Sequence, residues 1–122
     1  MTDWDEIRAL CPRLYRNGIY FECGLGWAKI ILELSLKLEK LLTVDPDLED
    51  TYAQQVKEKH GTLRVYISHE NEKAIDLIRE TEALSSQTCE ICGQPAKMRG
   101  HCWLSVRCDS CYKSLSSGGK EL

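Results

Sequence analysis

Four cysteines near the C-terminal end of the sequence form two Cys-x-x-Cys pairs. The first pair is Cys89 and Cys92, the second is Cys108 and Cys111, and fifteen residues separate the pairs. A Cys-x-x-Cys turn directs two thiolates at one ion, and two such turns complete the tetrahedral shell that Zn²⁺ prefers. Gly93 follows the first pair directly and permits a tight turn there. The spacing therefore predicts one zinc ion bound by these four thiolates.

A zinc shell filled by four thiolates leaves no coordination position for water or substrate. Such a metal contributes folding free energy rather than reactivity, so we expect a structural zinc and no enzymatic activity. His101 and Cys102 lie between the two pairs, and a site in which one of them replaces one of these four cysteines stays open at this point. The seven cysteines, an odd number, argue against a disulfide framework.

The segment between the cysteine pairs also carries side chains that could contact nucleic acid. Cations and rings of this kind pair with phosphates and stack on bases. The candidates are Arg99, His101, Trp103 and Arg107. Trp103 could equally be the packing residue that a small metal unit needs, and scattered cations are ordinary solvated surface.

Composition and charge limit the classes of function. The chain has 122 residues, of which 43% are hydrophobic and 29% charged, and this is typical of one globular domain with a small appendage. Residues 1–88 hold 11 basic and 16 acidic residues, whereas residues 89–122 hold 5 basic and 3 acidic residues. This balance excludes a broad basic surface that would coat nucleic acid.

Hydropathy gives an expectation for the compartment. No apolar run is long enough to cross a bilayer, so we expect no membrane association. The stretch MTDWDEIRAL is acidic where a secretory signal would be basic and then apolar. We therefore expect a soluble, cytoplasmic protein.

Other candidate reactive residues do not converge on one site. Gly24 and Gly26 precede a predicted helix, where free amides could hold a phosphate or carboxylate, although such glycines are more often turn and cap residues. Cys23 could be a nucleophile, but no histidine is near it in sequence and packing is the more common role. His60 and His69 lie at the two ends of a predicted hairpin, too far apart for an acid–base pair.

The tip of the predicted hairpin carries a small basic cluster. Its members are Lys57, Lys59, His60 and Arg64, with Glu58 reducing the charge. The cluster could meet an anionic partner, and its ordinary interpretation is a charged tip that discourages edge pairing.

Hydrophobic periodicity predicts the elements that must position these residues. From Trp27 to Leu42, apolar residues recur at helical spacing, which predicts the main core helix. A second helix is predicted over residues 71–86, on the spacing of Ala74, Ile75, Ile78 and Leu84. A short helix is expected from a Thr2 cap to about residue 10, and a short strand in GIYFEC.

Residues 51–68 read as a β-hairpin. Leu63, Val65 and Ile67 alternate with polar residues, and His60-Gly61 supplies the turn. The sequence thus predicts an α+β fold with two helices packed on a small antiparallel β-hairpin or sheet and a C-terminal zinc ribbon or knuckle. We place the α+β body at 1–86, the ribbon at 87–115 and a disordered tail at 116–122.

The order of short motifs resembles a set of small uncharacterised proteins from bacteriophages, prophages and some bacteria. FECGLGW, QVKEKHGTLRVY, CEICG and CDSC match their F-E-C-G-x-G-W box, V-K-E-K-x-G-x-L-R-x-Y box and terminal cysteine cluster over residues 19–111. An aromatic residue often stands at the position of His60, which makes that histidine an unlikely catalyst. The resemblance implies a phage or mobile-element origin and carries no established activity.

The expected function is therefore that of a small phage-type accessory protein, stabilised by zinc, that binds a host protein or protein complex. Inhibition of a defence or transcription complex would suit its acidic body, which can imitate the charge of nucleic acid. The alternative is a nucleic-acid-binding zinc-ribbon regulator that uses the four side chains named above.

Overall fold

The chain folds around one long helix and a three-stranded sheet. The structure is a computed structural model and describes residues 3–100 and 104–113. The predicted tail at 116–122 lies outside the described residues, as do Thr2, His101, Cys102 and Trp103. The α+β class is confirmed. Among the described residues, no helix is both long and apolar enough to cross a membrane.

The N-terminal half contributes two helices and a short strand. Helix α1 spans Trp4–Leu10, strand β1 spans Phe21–Glu22, a 3₁₀ turn covers Leu25–Trp27, and helix α2 runs from Ala28 to Val44. Asp3 caps α1, because its carboxylate accepts a hydrogen bond of 2.8 Å from the Glu6 amide. The cap is therefore one residue later than the sequence predicted.

The predicted hairpin is confirmed by strands β2, Ala53–Lys59, and β3, Thr62–Ile67. His60 and Gly61 have φ angles of 53° and 87°, as a two-residue turn with both central residues left-handed requires. Strand β1 adds to the other side of β2 in parallel, with Phe21 opposite Val56. Two residues are too few to show a periodicity, so this parallel pairing could not be predicted.

Helix α3 spans Glu72–Ser85 and begins where the Asn71 side chain accepts a hydrogen bond of 3.1 Å from the Ala74 amide. Its buried face consists of Ala74, Ile78, Thr81 and Ser85. The helix itself agrees with the sequence, but its predicted face is wrong at Leu84, which is 44% exposed.

Two polar side chains of α3 accept hydrogen bonds from backbone amides of the sheet. The Ser85 hydroxyl accepts a hydrogen bond of 3.0 Å from the Leu63 amide, and the Glu82 carboxylate accepts one of 3.1 Å from the Val65 amide. Both amides belong to β3 and point away from β2. A fully buried serine is thus explained by a backbone donor that would otherwise be unsatisfied.

The core lies between the helices and the inner face of the sheet. Helix α2 buries Ile31, Leu34, Leu38 and Leu42, and β2 and β3 bury Val56, Leu63 and Val65. The Glu39 carboxylate fixes the loop after α1 by accepting hydrogen bonds of 3.0 Å and 2.8 Å from the amides of Arg13 and Leu14.

A second, smaller sheet follows α3. It is the antiparallel pair β4, Lys97–Arg99, and β5, Ser105–Arg107, with Met98 opposite Val106. A helical turn covers residues 109–113. The first cysteine pair lies in the turns between α3 and β4, and the second pair lies directly after β5.

Candidate metal centre

The four predicted ligand cysteines converge on one point. The sulfurs of Cys89, Cys92, Cys108 and Cys111 all lie within 4.8 Å of one another, and 3.6 Å separates the sulfurs of Cys92 and Cys108. Tetrahedral zinc with Zn–S bonds of about 2.3 Å places its sulfurs about 3.8 Å apart. No disulfide joins the cysteines of the described residues. The cluster therefore fits a metal ion of this size and coordination.

The first pair is shaped by backbone hydrogen bonds. The Cys89 amide donates to the Gln94 carbonyl at 2.8 Å, and the Gly93 amide donates to the Cys89 carbonyl at 2.9 Å. Gly93 has φ of 82°, a conformation that side chains disfavour, so the sequence-predicted role of this glycine is confirmed. The turn leaves Cys89 fully buried and Cys92 exposed.

The second pair begins directly after β5. Cys108 precedes the helical turn that carries Cys111, and the Cys111 amide donates a hydrogen bond of 3.4 Å to the Cys108 sulfur. Amide donors to a thiolate stabilise its negative charge and fix its direction. The two pairs therefore reach the same point from different elements.

The thiol pKa values show how charge is distributed in the cluster. Burial favours the neutral thiol of Cys89, but the backbone amides of Cys108, Cys92 and Ile91 outweigh it and lower the pKa to about 6. The side-chain hydrogen bond between the thiols of Cys111 and Cys108, followed by burial, raises the pKa of Cys111 to about 12. One sulfur is thus prepared for ionisation, and a divalent cation is what would allow its neighbours to ionise as well.

Gly24 and Gly26, which we call the glycine box, precede α2 and pack against the turn at residues 89–93, which we call the first knuckle. The Gly26 amide donates to the Glu90 carbonyl at 2.7 Å, and the Gly24 amide donates to the Glu90 carboxylate at 2.9 Å. A Cβ on Gly26 would overlap the carbonyl oxygen of Cys89, so the chains can approach this closely only at glycine. The free amide of Gly24 thus holds a carboxylate, and that carboxylate belongs to the protein itself.

Two further contacts join the body to the cysteine unit. The indole of Trp27, which is fully buried, donates a hydrogen bond of 2.8 Å to the Thr88 carbonyl. At the hairpin tip, Gly61 packs so closely on Met98 of β4 that an added Cβ would overlap the sulfur. The motifs FECGLGW and QVKEKHGTLRVY thus both contact the segment that carries the cysteines.

Of the four predicted nucleic-acid contacts, the structure describes Arg99 and Arg107. The Arg99 guanidinium pairs with the Asp109 carboxylate and lies 4.7 Å from the ring centroid of Tyr112, and its side chain is only 13% exposed. The Arg107 backbone carbonyl accepts a hydrogen bond of 3.1 Å from the Arg99 guanidinium. Arg99 is therefore occupied within the protein. His101 and Trp103 lie outside the described residues.

The remaining candidate groups are not members of the cysteine cluster. Burial, followed by the charges of Glu90, Glu58 and Glu22, raises the pKa of Cys23 to about 12, which opposes a nucleophilic role. His60 occupies the turn before β3, and His69 follows the strand's far end, 3.6 Å from Asp47.

Comparisons of the chain with protein-family models, with curated proteins and with solved structures gave no match.

Proposed function

We propose that the protein is a small non-enzymatic binding protein, stabilised by one zinc ion at Cys89, Cys92, Cys108 and Cys111, and that its partner is another protein. The observation that carries this proposal is the convergence of four sulfurs within 4.8 Å, with no oxygen or nitrogen ligand in the group among the residues that the structure describes. Four thiolates saturate a tetrahedral ion, so this metal has a structural role.

A groove beside the first knuckle supports a protein partner. It encloses about 630 Å³ between the start of α2, the end of α3 and the turn after Cys92. Leu25 and Leu84, which are 52% and 44% exposed, contribute to its lining, and Lys29 and Glu33 stand beside them. Exposed apolar side chains bordered by charged ones are typical of surfaces that bind proteins.

The phage-type origin and the host partner rest on the resemblance of the sequence boxes. A phage-type accessory protein meets its partner in the bacterial cytoplasm, and inhibition of a defence or transcription complex is the role we propose for it. The acidic balance of residues 1–88 supports such a role, because an acidic surface competes for sites that bind nucleic acid.

The first experiment measures metal content. Elemental analysis of freshly purified protein should find one zinc per chain, and the Cys89→Ala/Cys92→Ala variant should contain none. Zinc that is absent, or present at two ions per chain, would contradict the closed four-thiolate site.

The second experiment locates the partner surface. Tagged wild-type protein should capture a stoichiometric partner from bacterial lysate, and Leu84→Asp should abolish capture because it places a charge in the groove. Leu36→Asp is the matched control, since Leu36 is also 44% exposed but is not among the groove residues. Capture that fails with wild type, or that is lost equally with both variants, would refute this groove as the contact.

A further inference from the structure

The outward face of the three-stranded sheet is defined by alternation along its strands. Phe21, Val56 and Leu63 point into the core, so their neighbours along each strand point outward. We call this surface the outer sheet face; its residues are Glu22, Gln55, Lys57, Lys59, Thr62, Arg64 and Tyr66.

The register sets these side chains in rows. Gln55 lies opposite Tyr66, and Lys57 lies opposite Arg64 on one side and Glu22 on the other. Tyr66 is 41% exposed. An aromatic ring and cations are therefore neighbours on one face of the sheet, within reach of a single extended ligand.

Among the residues that the structure describes, the cations of the outer sheet face have no acidic partner. Within residues 3–100 and 104–113, no carboxylate oxygen lies within 4.0 Å of a charged nitrogen of Lys57, Lys59 or Arg64, whereas Arg8 and Arg99 each have an acidic partner. The Glu22 carboxylate accepts from Gln55 at 3.4 Å instead. The face therefore has a net positive charge on a protein of net charge −3.

This combination identifies the chemistry of a ligand. Cations attract phosphates, and an exposed tyrosine offers a stacking surface to a base that is not stacked on its neighbours. Bases within a duplex are already stacked, so an aromatic platform favours single strands. We infer that the outer sheet face binds single-stranded nucleic acid, with Lys57, Lys59 and Arg64 at phosphates and Tyr66 beneath a base.

The inference is independent of the proposed protein-binding groove. None of the outer-face residues lines that groove, and none is a cysteine of the metal cluster. Loss of one activity should leave the other intact, so the two proposals succeed or fail separately.

Fluorescence anisotropy with labelled twelve-nucleotide oligo(dT) and oligo(U) tests the inference. Binding should be measurable in 50 mM NaCl and roughly twentyfold weaker in 200 mM, as expected for about three phosphate contacts on a single strand. A duplex of the same length should bind at least about tenfold more weakly, because its bases cannot stack on Tyr66.

Variants assign the binding to the outer sheet face. Arg64→Glu and Tyr66→Ala should each weaken binding by about tenfold or more, and Tyr66→Phe should retain it because the ring is kept. Lys37→Glu is the control for net charge, since Lys37 is exposed on α2 and the charge change equals that of Arg64→Glu. Thermal unfolding of every variant confirms that the fold is kept.

Several results would overturn the inference. These are the absence of binding in 50 mM NaCl, equal weakening by Lys37→Glu and Arg64→Glu, and equal affinity for duplex and single strand. Binding of a polyglutamate peptide that depends on Arg64 but not on Tyr66, without oligonucleotide binding, would assign the face to an acidic protein segment instead.

Discussion

At the scale of single residues, hydrogen bonds and burial give the cysteine thiols different acidities. Cys89 has amide donors that lower its pKa to about 6, whereas burial and neighbouring carboxylates raise the pKa of Cys23 to about 12. Cys11 is fully buried, and burial followed by the charge of Glu39 raises its pKa to about 11. Hydrogen bonds and desolvation, rather than residue type, set the acidity of each thiol, and even within the cluster Cys89 and Cys111 differ in this way.

These values predict a slow reaction of Cys23 with alkylating reagents. At pH 8, a rise in pKa from 9.0 to about 12 lowers the thiolate fraction by about 1000-fold, and the thiolate is the reactive form. Iodoacetamide labelling followed by peptide mass spectrometry should show at least about tenfold slower labelling in the folded protein than in urea. Labelling at the same rate in both states would show a thiol activated by some neighbouring group.

The ligand residues were predictable because Cys-x-x-Cys spacing is itself a geometric statement. Two cysteines three positions apart can face one ion within a single turn, and no tertiary information is needed to expect it. The occupation of Arg99 by Asp109 could not be predicted, because the two residues meet only when β4 and the last helical turn are in place.

At the scale of elements, the glycine box acts as a contact surface between two segments that lie 66 residues apart in sequence at Gly24 and Glu90. A helix-preceding G-x-G indicates free amides, and the structure uses both amides to hold Glu90. From the sequence alone the amides could equally serve an external anion. The choice depends on which chain segment packs there, and local periodicity does not contain that information.

Gly26→Ala should weaken the contact between the glycine box and the first knuckle. The added methyl group would overlap the backbone oxygen of Cys89, which cannot move without moving a ligand, so we expect a loss of about 3 kcal/mol in the free energy of unfolding. Chemical denaturation with zinc bound measures it.

Gly18→Ala is the control for this substitution. Its φ of 59° is unfavourable for a side chain, unlike that of Gly26, but a Cβ there meets no atom within 4 Å, so the substitution should cost only about 1–2 kcal/mol. Equal losses at the two glycines would mean that the close approach to Cys89 has no energetic weight. Zinc affinity should fall for Gly26→Ala alone.

Helix α3 shows where periodicity misleads. The sequence favours Leu84 as a core residue because it is apolar, yet Thr81 and Ser85 are buried and Leu84 borders the groove. The hydroxyl of Ser85 is needed by a strand amide, and this demand exists only once α3 lies against β3. Helix existence follows from local pattern, whereas its exact face depends on its neighbours.

At the scale of the whole molecule, the metal centre and the body support each other. The Trp27 indole, the glycine box and the Gly61 turn all contact the cysteine-bearing segment. The division into a body at 1–86 and a ribbon at 87–115 stays a prediction, and these contacts give it a thermodynamic consequence. Metal binding to the folded state should stabilise the body as well.

Metal removal should therefore lower the melting temperature of the entire chain. We expect a chelator to reduce the melting temperature by about 10 °C or more. The helical circular dichroism of α2 and α3 should persist at low temperature, because the hydrophobic core that these helices share with the sheet does not include the four cysteines of the cluster. Added Zn²⁺ should restore the curve and Mg²⁺ should not. The Cys89→Ala/Cys92→Ala variant should be insensitive to chelator, and unchanged melting of the wild type would contradict the coupling.

The hydrogen bonds from α3 to β3 also limit how other chains can join this molecule. Because Ser85 and Glu82 already accept from the amides of Leu63 and Val65, a foreign strand finds no free donors at these positions along that border of the sheet. Sheet extension by a partner, or by a second copy stacking into a fibril, is blocked there. Recognition on this side must therefore rely on side chains, and this border of the sheet is protected against strand-mediated aggregation.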